Sequence, residues 1–255
     1  MSLTKPFQAE SPAEPHHWAM LIDLNVCTGC SACAVACRAE NNIPITGPEE
    51  AARNGTIQWV RIERTWEGQL DDFRVATRPV SCQQCDDAPC EPVCPVLATY
   101  TNSEGLCVQV YNRCVGTRYC ALNCPYQERF FNWFDYQWPS PMDVQLNPDV
   151  SLRTRGIMEK CSFCSQRILA AERAARLERR PVRDGEIAPA CVQSCPAQAL
   201  LFGDLDDPDS RIARAYRRPG LETLLEELGT RPRVRYAPRP TSIAAALRED
   251  AEADA

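Results

Sequence analysis

At 255 residues with a formal net charge of -6, the chain is long enough for one large or two small domains and lacks the basic surplus of a nucleic-acid partner. Its longest apolar runs, such as Ala19-Met20-Leu21-Ile22, fall far short of the roughly 20 residues that span a bilayer, so no membrane crossing is expected. Residues 1 to 19 carry Lys5, Glu10 and Glu14 with neither an apolar core nor a twin arginine, so export is expected to depend on a partner.

His16 and His17 are expected in a solvated N-terminal segment. Met20 to Leu24 predicts a strand, and Ala32, Ala34, Val35, Ala36 and Ala39 predict a helix beginning near Ser31. Pro44 to Gly55 has turn chemistry and is expected to be a loop. Gln58 to Arg64 alternates in strand fashion, and Phe73 to Val80 and Leu106 to Tyr111 follow suit. Ser165 to Arg180, rich in Ala, Leu, Glu and Arg, predicts a helix; its Arg167, Arg173, Arg176, Arg179 and Arg180 are expected to form a solvated face, with docking of an acidic partner as the alternative. A short helix from Gly220 to Leu228 is followed by an extended arm from Thr230 to Pro240, which would either wrap a partner or lie free, and by an acid-rich tail.

Fifteen of the sixteen cysteines fall into four groups. They are Cys27, Cys30, Cys33 and Cys37; Cys82, Cys85, Cys90 and Cys94; Cys114, Cys120 and Cys124; and Cys161, Cys164, Cys191 and Cys195. Pro95, Pro125 and Pro196 close three of them, while Arg38 stands in the corresponding place after Cys37. Two residues between cysteines let the backbone wrap a small anionic cube, with thiolates on iron and amide N–H groups aimed at sulfide. In two-cluster ferredoxins a tight run of three holds one cubane and the fourth cysteine, before proline, reaches the other. Zinc sites need neither runs of three nor a distal Cys-Pro. A disulfide framework expects a short secreted chain with denser cysteine, and haem attachment needs a Cys-x2-Cys-His that is absent.

If the second and third groups interlock, Cys82, Cys85, Cys90 and Cys124 hold one cluster, and Cys114 and Cys120 share the next with Cys94. If the first and fourth interlock around them, Cys27, Cys30, Cys33 and Cys195 hold a third, and Cys37, Cys161, Cys164 and Cys191 a fourth. The expected fold class is α+β: two interlocked bacterial two-cluster ferredoxin-like units with loop insertions and an extended C-terminal arm. Residues 1–18 form an N-terminal segment, 19–80 plus 150–205 the outer unit, 81–149 the inner unit, and 206–255 the C-terminal helix, arm and tail.

The segments His17 to Cys27, Cys37 to Pro44, Cys82-Gln83-Gln84-Cys85, Ala88 to Pro95, Tyr111 to Cys120, Phe131-Asn132-Trp133 and Lys160 to Cys164 resemble the four-cluster electron-transfer subunits of the dimethyl sulfoxide reductase family of molybdenum enzymes. Asn41-Asn42-Ile43-Pro44 and Cys114-Val115-Gly116-Thr117-Arg118-Tyr119-Cys120 are most similar to the iron-sulfur domain of alternative complex III and its polysulfide-reductase-like relatives. The resemblance runs from about His17 to Asp204. It implies a molybdopterin-type or related large subunit on one side and a multi-helix quinone-binding membrane subunit on the other. A cytochrome c subunit is a further candidate partner, and a peripheral position on the periplasmic face is expected, with the cytoplasmic face as the alternative.

Thr117 departs from four-cubane members of that family, which have cysteine there. A hydroxyl is a poor iron ligand beside thiolate, so Cys94, Cys114 and Cys120 are expected to hold a 3Fe-4S cluster, with three 4Fe-4S clusters elsewhere. Loss of the corner iron raises the potential, which suits exchange with quinol at the membrane end. Cys107, the sixteenth cysteine, is expected to be a buried small apolar residue, the alternative being a ligand for the iron that Thr117 cannot hold. Arg113, Arg118, Arg129 and Lys160 adjoin cysteines and are expected to offset cluster charge. Phe130, Phe131, Trp133, Phe134, Tyr136 and Trp138 are expected to pack into the core, with a docking patch as the alternative.

The expected function is one-electron conduction without bond chemistry. The alternatives are a free-standing soluble carrier, or an enzyme with an open iron site at Thr117.

Overall fold

Trp18–Asp23 forms the central strand, β1, of this computed structural model, which describes residues 16–53, 55–69 and 72–239. In chain order the other elements are α1 (Ala32–Glu40), α2 (Pro48–Ala52), β2 (Val60–Gln69), β3 (Asp72–Ser81), β4 (Thr99–Thr101), β5 (Cys107–Gln109), α3 (Tyr119–Leu122), β6 (Phe130–Phe131), β7 (Met158–Glu159), α4 (Ser165–Leu177), α5 (Ala190–Gln193), β8 (Leu200–Asp204), α6 (Arg211–Tyr216) and β9 (Val234–Ala237). Short 3-10 turns lie at Tyr111–Arg113, Met142–Gln145 and Glu226–Leu228.

β1 pairs antiparallel with β8 and parallel with β9, in the order β8-β1-β9. Successive side chains of a strand point to opposite faces. Trp18, Met20 and Ile22 join Phe202 in a core that also holds Cys27, Cys33, Cys37, Cys161 and Cys191. Ala19 lies opposite Gly203 on the other face, against which α6 packs. A Cβ on Gly203 would come 2.9 Å from Ile212 Cγ2, so glycine lets the helix approach. Ser210 caps α6, its Oγ accepting from Ala213 N at 3.1 Å and donating to Asp204 O at 2.7 Å. Both faces of β1 are therefore covered, and each large apolar side chain buried there contributes about 1.5–3 kcal/mol.

The other strands form three two-stranded pairs, β2-β3, β4-β5 and β6-β7. A second core around Cys85, Cys90, Cys107, Cys120, Tyr126 and Met158 lies beneath β5 and α3. α1 packs on α5, and Arg167 of α4 ties back to α1 through Glu40 at 2.7 Å.

Several local expectations change. The segment Pro44 to Gly55 contains α2, which starts at a proline and carries Glu49 and Glu50 in its first turn, favourable to helix geometry and dipole. The helix expected from Gly220 to Leu228 is only a 3-10 turn, because the backbone of Glu222 bridges to Tyr236 in both directions, at 2.9 and 2.8 Å. α4 ends at Leu177, short of the expected Arg180; Arg167 is half-buried and paired, Arg173 and Arg176 on the helix and Arg179 beyond it are exposed, and Arg180 folds back onto Glu178 and Glu186.

The arm packs onto its own chain as far as Arg239. The Arg231 and Thr230 carbonyls accept from Asp86 N and Asp87 N at 3.1 and 3.2 Å, and Arg233 pairs with Asp86 at 2.5 Å. Tyr236, fully buried, donates to Pro79 O at 3.1 Å. Arg239 donates to Leu24 O at 2.5 Å and to Cys27 O, holding the first cysteine loop. The acid-rich tail and residues 1–15 lie outside the described residues.

His16 and His17 are not solvated: both are half-buried, and Asp204 accepts from His17 N at 2.8 Å and meets His16 Nδ1 at 2.5 Å. The hydrogen bond to Asp204 lifts the His16 pKa above its ordinary 6.5 against the opposing effect of burial. A raised folded-state pKa gives stability that is complete below the unfolded value and lost as pH rises through the folded one. The wild-type Tm should therefore exceed that of His16→Gln by more at about pH 5.5 than at about pH 8.5. A Tm difference that does not change with pH would remove the ion pair as its source.

Candidate metal centres

The three Cys-Pro turns share one geometry. The third residue after each cysteine has a left-handed φ, 51° at Leu97, 56° at Gln127 and 51° at Gln198. Its N–H donates to the cysteine carbonyl at 3.3, 3.1 and 3.2 Å respectively. This conformation costs a non-glycine residue about 1 kcal/mol or more. It is retained where it turns the following N–H onto sulfur: Ala98 N donates to Cys94 Sγ at 3.2 Å and Ala199 N to Cys195 Sγ at 3.3 Å. Proline fixes φ at the start of each turn and has no N–H to lose. After Cys37, where Arg38 replaces proline, α1 runs on to Glu40, and Asn41 Nδ2 reaches Cys37 Sγ at 3.6 Å and Cys164 Sγ at 3.8 Å.

None of the sixteen cysteines is in a disulfide. Cys33 stands among Cys27, Cys195 and Cys30, and burial pushes its thiol up to about 11. These four line a recess of about 300 Å³ with Ile62, Pro196 and Leu200, and Cys30 is exposed at its edge. Cys37 is buried among Cys161, Cys191 and Cys164, which together with burial lift it far above the usual thiol range. Cys85 faces Cys82 and Cys124 and is pushed up to about 12, first by burial. Cys90 is near Cys82, and Cys120 is near Cys114 and Cys94.

Thiols crowded and buried in this way resist ionisation unless positive charge arrives with the ligand they hold. Iron supplies that charge, so the donor set fits iron-sulfur centres. Among the described residues no three His, Cys, Asp or Glu side chains converge on a single-ion site. A tetrahedral zinc site would bring its sulfurs to about 2.3 Å from one point, whereas a multi-iron core spreads them.

Thr117 is exposed between Gly116 and Arg118, whose φ values are 73° and 64°. A Cβ on Gly116 would come 2.3 Å from the Gly156 carbonyl oxygen, so this approach requires glycine. Arg118 stacks over Phe131 and Trp133 at 5.1 and 4.8 Å. The aromatic run is divided: Phe130 packs against the first core and Phe131 against the second, Phe134, Tyr136 and Trp138 are half-buried, and Trp133 is exposed.

No protein-family model matches the chain. It is 45% identical over 227 residues to the iron-sulfur cluster-binding subunit of menaquinone reductase from Nitratidesulfovibrio vulgaris, covering 87% of this chain and 89% of that protein. It is 34% identical to the Hdr-like menaquinol oxidoreductase iron-sulfur subunit 1 of Archaeoglobus fulgidus, over 89% and 86% of the two proteins. It is 33% identical to the B subunit of polysulfide reductase from Wolinella succinogenes, over 87% and 94%. The chain is an iron-sulfur electron-transfer subunit of the dimethyl sulfoxide reductase family. It binds iron-sulfur clusters and hands on electrons within a reductase complex whose substrate chemistry belongs to other subunits.

Two buried cations stand between the cysteine sets of this electron-transfer subunit. Arg129 donates to Thr99 Oγ1 at 2.8 Å, Gln109 Oε1 at 3.0 Å and Cys107 Sγ at 3.2 Å. Burial opposes its charge, but the sulfurs of Cys107, Cys90, Cys82 and Cys120 outweigh that and raise its pKa. Lys160 is fully buried, and burial again opposes its charge while Cys82, Cys107 and Cys161 favour it. Its Nζ donates to Cys161 O at 2.6 Å. The same carbonyl accepts from Gln84 Nε2 at 2.9 Å, and Gln84 Oε1 accepts from Cys107 N at 3.0 Å. Gln84 thus joins the Cys161 loop to β5.

Gln84, Asn41 and Thr230 are site residues that sequence reasoning missed. Thr230 comes from the C-terminal arm, shares a hydrogen bond with Tyr126 Oη and lies beside the Cys85 thiol. No local pattern marks it, although Gln84 and Asn41 stand close to cysteines in the sequence.

Proposed function

We propose that the subunit conducts single electrons between a multi-helix quinone-binding membrane subunit and a molybdopterin-type large subunit. It would lie peripherally on the periplasmic face, with a cytochrome c subunit as a further partner. The observation that supports this reading is that thiols distant in the sequence come together: Cys195 stands by Cys33, Cys161, Cys164 and Cys191 by Cys37, Cys124 by Cys85, and Cys94 by Cys120. Cys27, Cys30, Cys33 and Cys195 would hold one 4Fe-4S cluster, Cys37, Cys161, Cys164 and Cys191 a second, and Cys82, Cys85, Cys90 and Cys124 a third. Cys94, Cys114 and Cys120 would hold a 3Fe-4S cluster, with Thr117 in the fourth position.

Bound clusters supply one-electron acceptors whose potentials, approximately -700 to +450 mV across proteins, follow cluster type, charge and hydrogen bonds to sulfur. The chain's own residues set those influences. N–H groups of Ala98, Ala199, Met158, Phe163 and Ala190 donate to cysteine sulfurs at 3.2 to 3.5 Å, and Arg129 and Lys160 bring positive charge between the sets. The fold would comprise two interlocked ferredoxin-like units, the outer one (19–80 with 150–205) around β1-β8 and the inner one (81–149) around β4-β5. The repeated Cys-Pro turns support two such units, and the units interlock: Cys82 and Leu106 of the inner stretch pack into the core around β1, and Met158 of the outer stretch into the second core.

Iron analysis with Mössbauer spectroscopy should find about 15 irons per chain, as three four-iron centres and one three-iron centre. Stoichiometric zinc, or only two clusters, would overturn the proposal. Co-purification of a large subunit and a multi-helix subunit from solubilised membranes checks the partners. Recovery of the chain alone from the soluble fraction would refute them.

A further inference from the structure

Cys107, outside the four sets, lies buried on β5 with its Sγ 3.7 Å from Cys90 Sγ. It therefore faces a set other than the one containing Thr117, which corrects the alternative in which Cys107 replaces Thr117 as an iron ligand.

Cys27 and Cys30 stand on a loop whose backbone is held by the opposite end of the chain. Arg239, half-buried on the arm, donates from Nε to Leu24 O at 2.5 Å and from Nη2 to Cys27 O and to Thr77 Oγ1, the last at 3.2 Å. Thr77, on β3, also packs against the loop: a Cβ on Gly29, where φ is 67°, would come 2.9 Å from Thr77 Cγ2. The loop is thus fixed from two sides, by β3 through shape and by the arm through a cation. All three oxygens that accept from Arg239 are neutral, so none of them cancels its charge.

We infer that Arg239 is a positioning residue for electron transfer at one centre: its guanidinium holds the Cys27 loop and raises the potential of the centre formed by Cys27, Cys30, Cys33 and Cys195. The inference rests on the ligand assignment proposed above. Arginine stays cationic throughout the working pH range, and its fork can serve several acceptors at once. A positive charge beside a redox centre favours the reduced state, which carries one more electron. A donor on the Cys27 carbonyl also polarises the Cys27–Thr28 peptide, whose N–H belongs to the loop that would wrap the cluster. The recess of these four cysteines is open at Cys30, so water and salt screen part of the charge and keep its effect modest. The other three sets contribute none of the three acceptors. A purely structural prop would need no charge, because glutamine also offers N–H donors to carbonyls.

The test is an EPR-monitored redox titration of the intact complex carrying Arg239→Gln, Arg239→Lys or Thr77→Val. Arg239→Gln should lower the reduced-to-oxidised ratio of that one centre about threefold at a fixed ambient potential, or about 30 mV at 59 mV per tenfold. Arg239→Lys, which keeps the charge, should recover most of the loss. Thr77→Val, which keeps the packing on Gly29 and removes only the Oγ1 acceptor, should leave the potential at the parent's value, and the other three centres should not move in any variant. An unchanged potential or an upward shift in Arg239→Gln would overturn the inference. So would a shift of equal size in Arg239→Lys or in Thr77→Val, which would make loop packing and not charge the cause. If Arg239→Gln fails to hold the centre, the lysine variant decides: a parental potential upholds the role of charge, and a lowered potential or loss of the centre overturns it. Cys33→Ala separates the two levels, since the EPR component it removes identifies the centre. Retention of all four centres there sinks the ligand assignment and the inference with it. Loss of one centre in Cys33→Ala, with no shift of that centre in Arg239→Gln, sinks the inference alone.

Discussion

Thr117→Cys should abolish the EPR signal of the oxidised 3Fe-4S centre, add one iron per chain and lower the potential of that centre, leaving the other three unchanged. The site can accept the change: Thr117 is exposed, and the turn around it is held by Gly116 and Arg118 and not by Thr117 itself. Surface substitutions of this kind shift stability by only about 0.5 kcal/mol, so a spectroscopic change reports the centre and not a damaged fold. Cysteine offers thiolate where threonine offers a hydroxyl, and the fourth corner iron can then be held. The sign of the shift follows from the change of cluster type, because the added thiolate arrives with an iron and replaces the high-potential three-iron couple by a four-iron one. Iron analysis and EPR of parent and variant decide the matter. A parent without a three-iron signal would show that another ligand completes the corner.

Cys37→Ser should cost the centre of Cys161, Cys164 and Cys191 and spare that of Cys27, Cys30 and Cys33, its own sequence neighbours. In the fold, Cys37 lies on α1 with its sulfur buried among the three distant thiols, and Asn41 reaches both Cys37 and Cys164. Cys27, Cys30 and Cys33 instead share their recess with Cys195. The expected readout is about four fewer irons per chain and the loss of one EPR component. Loss of the component assigned to Cys27, Cys30 and Cys33, with survival of the other, would refute the crossover. Glu40 on the same helix binds Arg167 on α4, so the backbone of α1 stays anchored in the variant and partial unfolding is not the expected cause of iron loss.

Residues close in the chain made parts of this protein legible. The spacing within each cysteine group, the apolar run that became β1 and the alanine-rich stretch that became α4 are local patterns. The exception after Cys37, with Arg38 in place of proline, was visible as well. Elements whose geometry depends on distant partners were not. Pro44 to Gly55 looked like a loop yet contains α2, and the helix expected before Leu228 gave way to a bridge between Glu222 and Tyr236. His16 looked solvated until Asp204 closed over it, and the arm from Thr230 packs against β1 and the Cys82 to Asp87 loop.

The sequence by itself determined that this chain presents thiols in groups suited to iron-sulfur centres, because ligand spacing is a property of a few consecutive residues. Only the tertiary structure decided that Cys107 faces Cys90, that Gln84 joins Cys161 to β5, and that Arg129 and Lys160 lie between the sets. Each is a contact made by one side chain with a distant part of the chain. Such contacts leave no periodicity in the sequence, and their energies exist only after the backbone has brought the partners within a few ångströms and excluded water from between them.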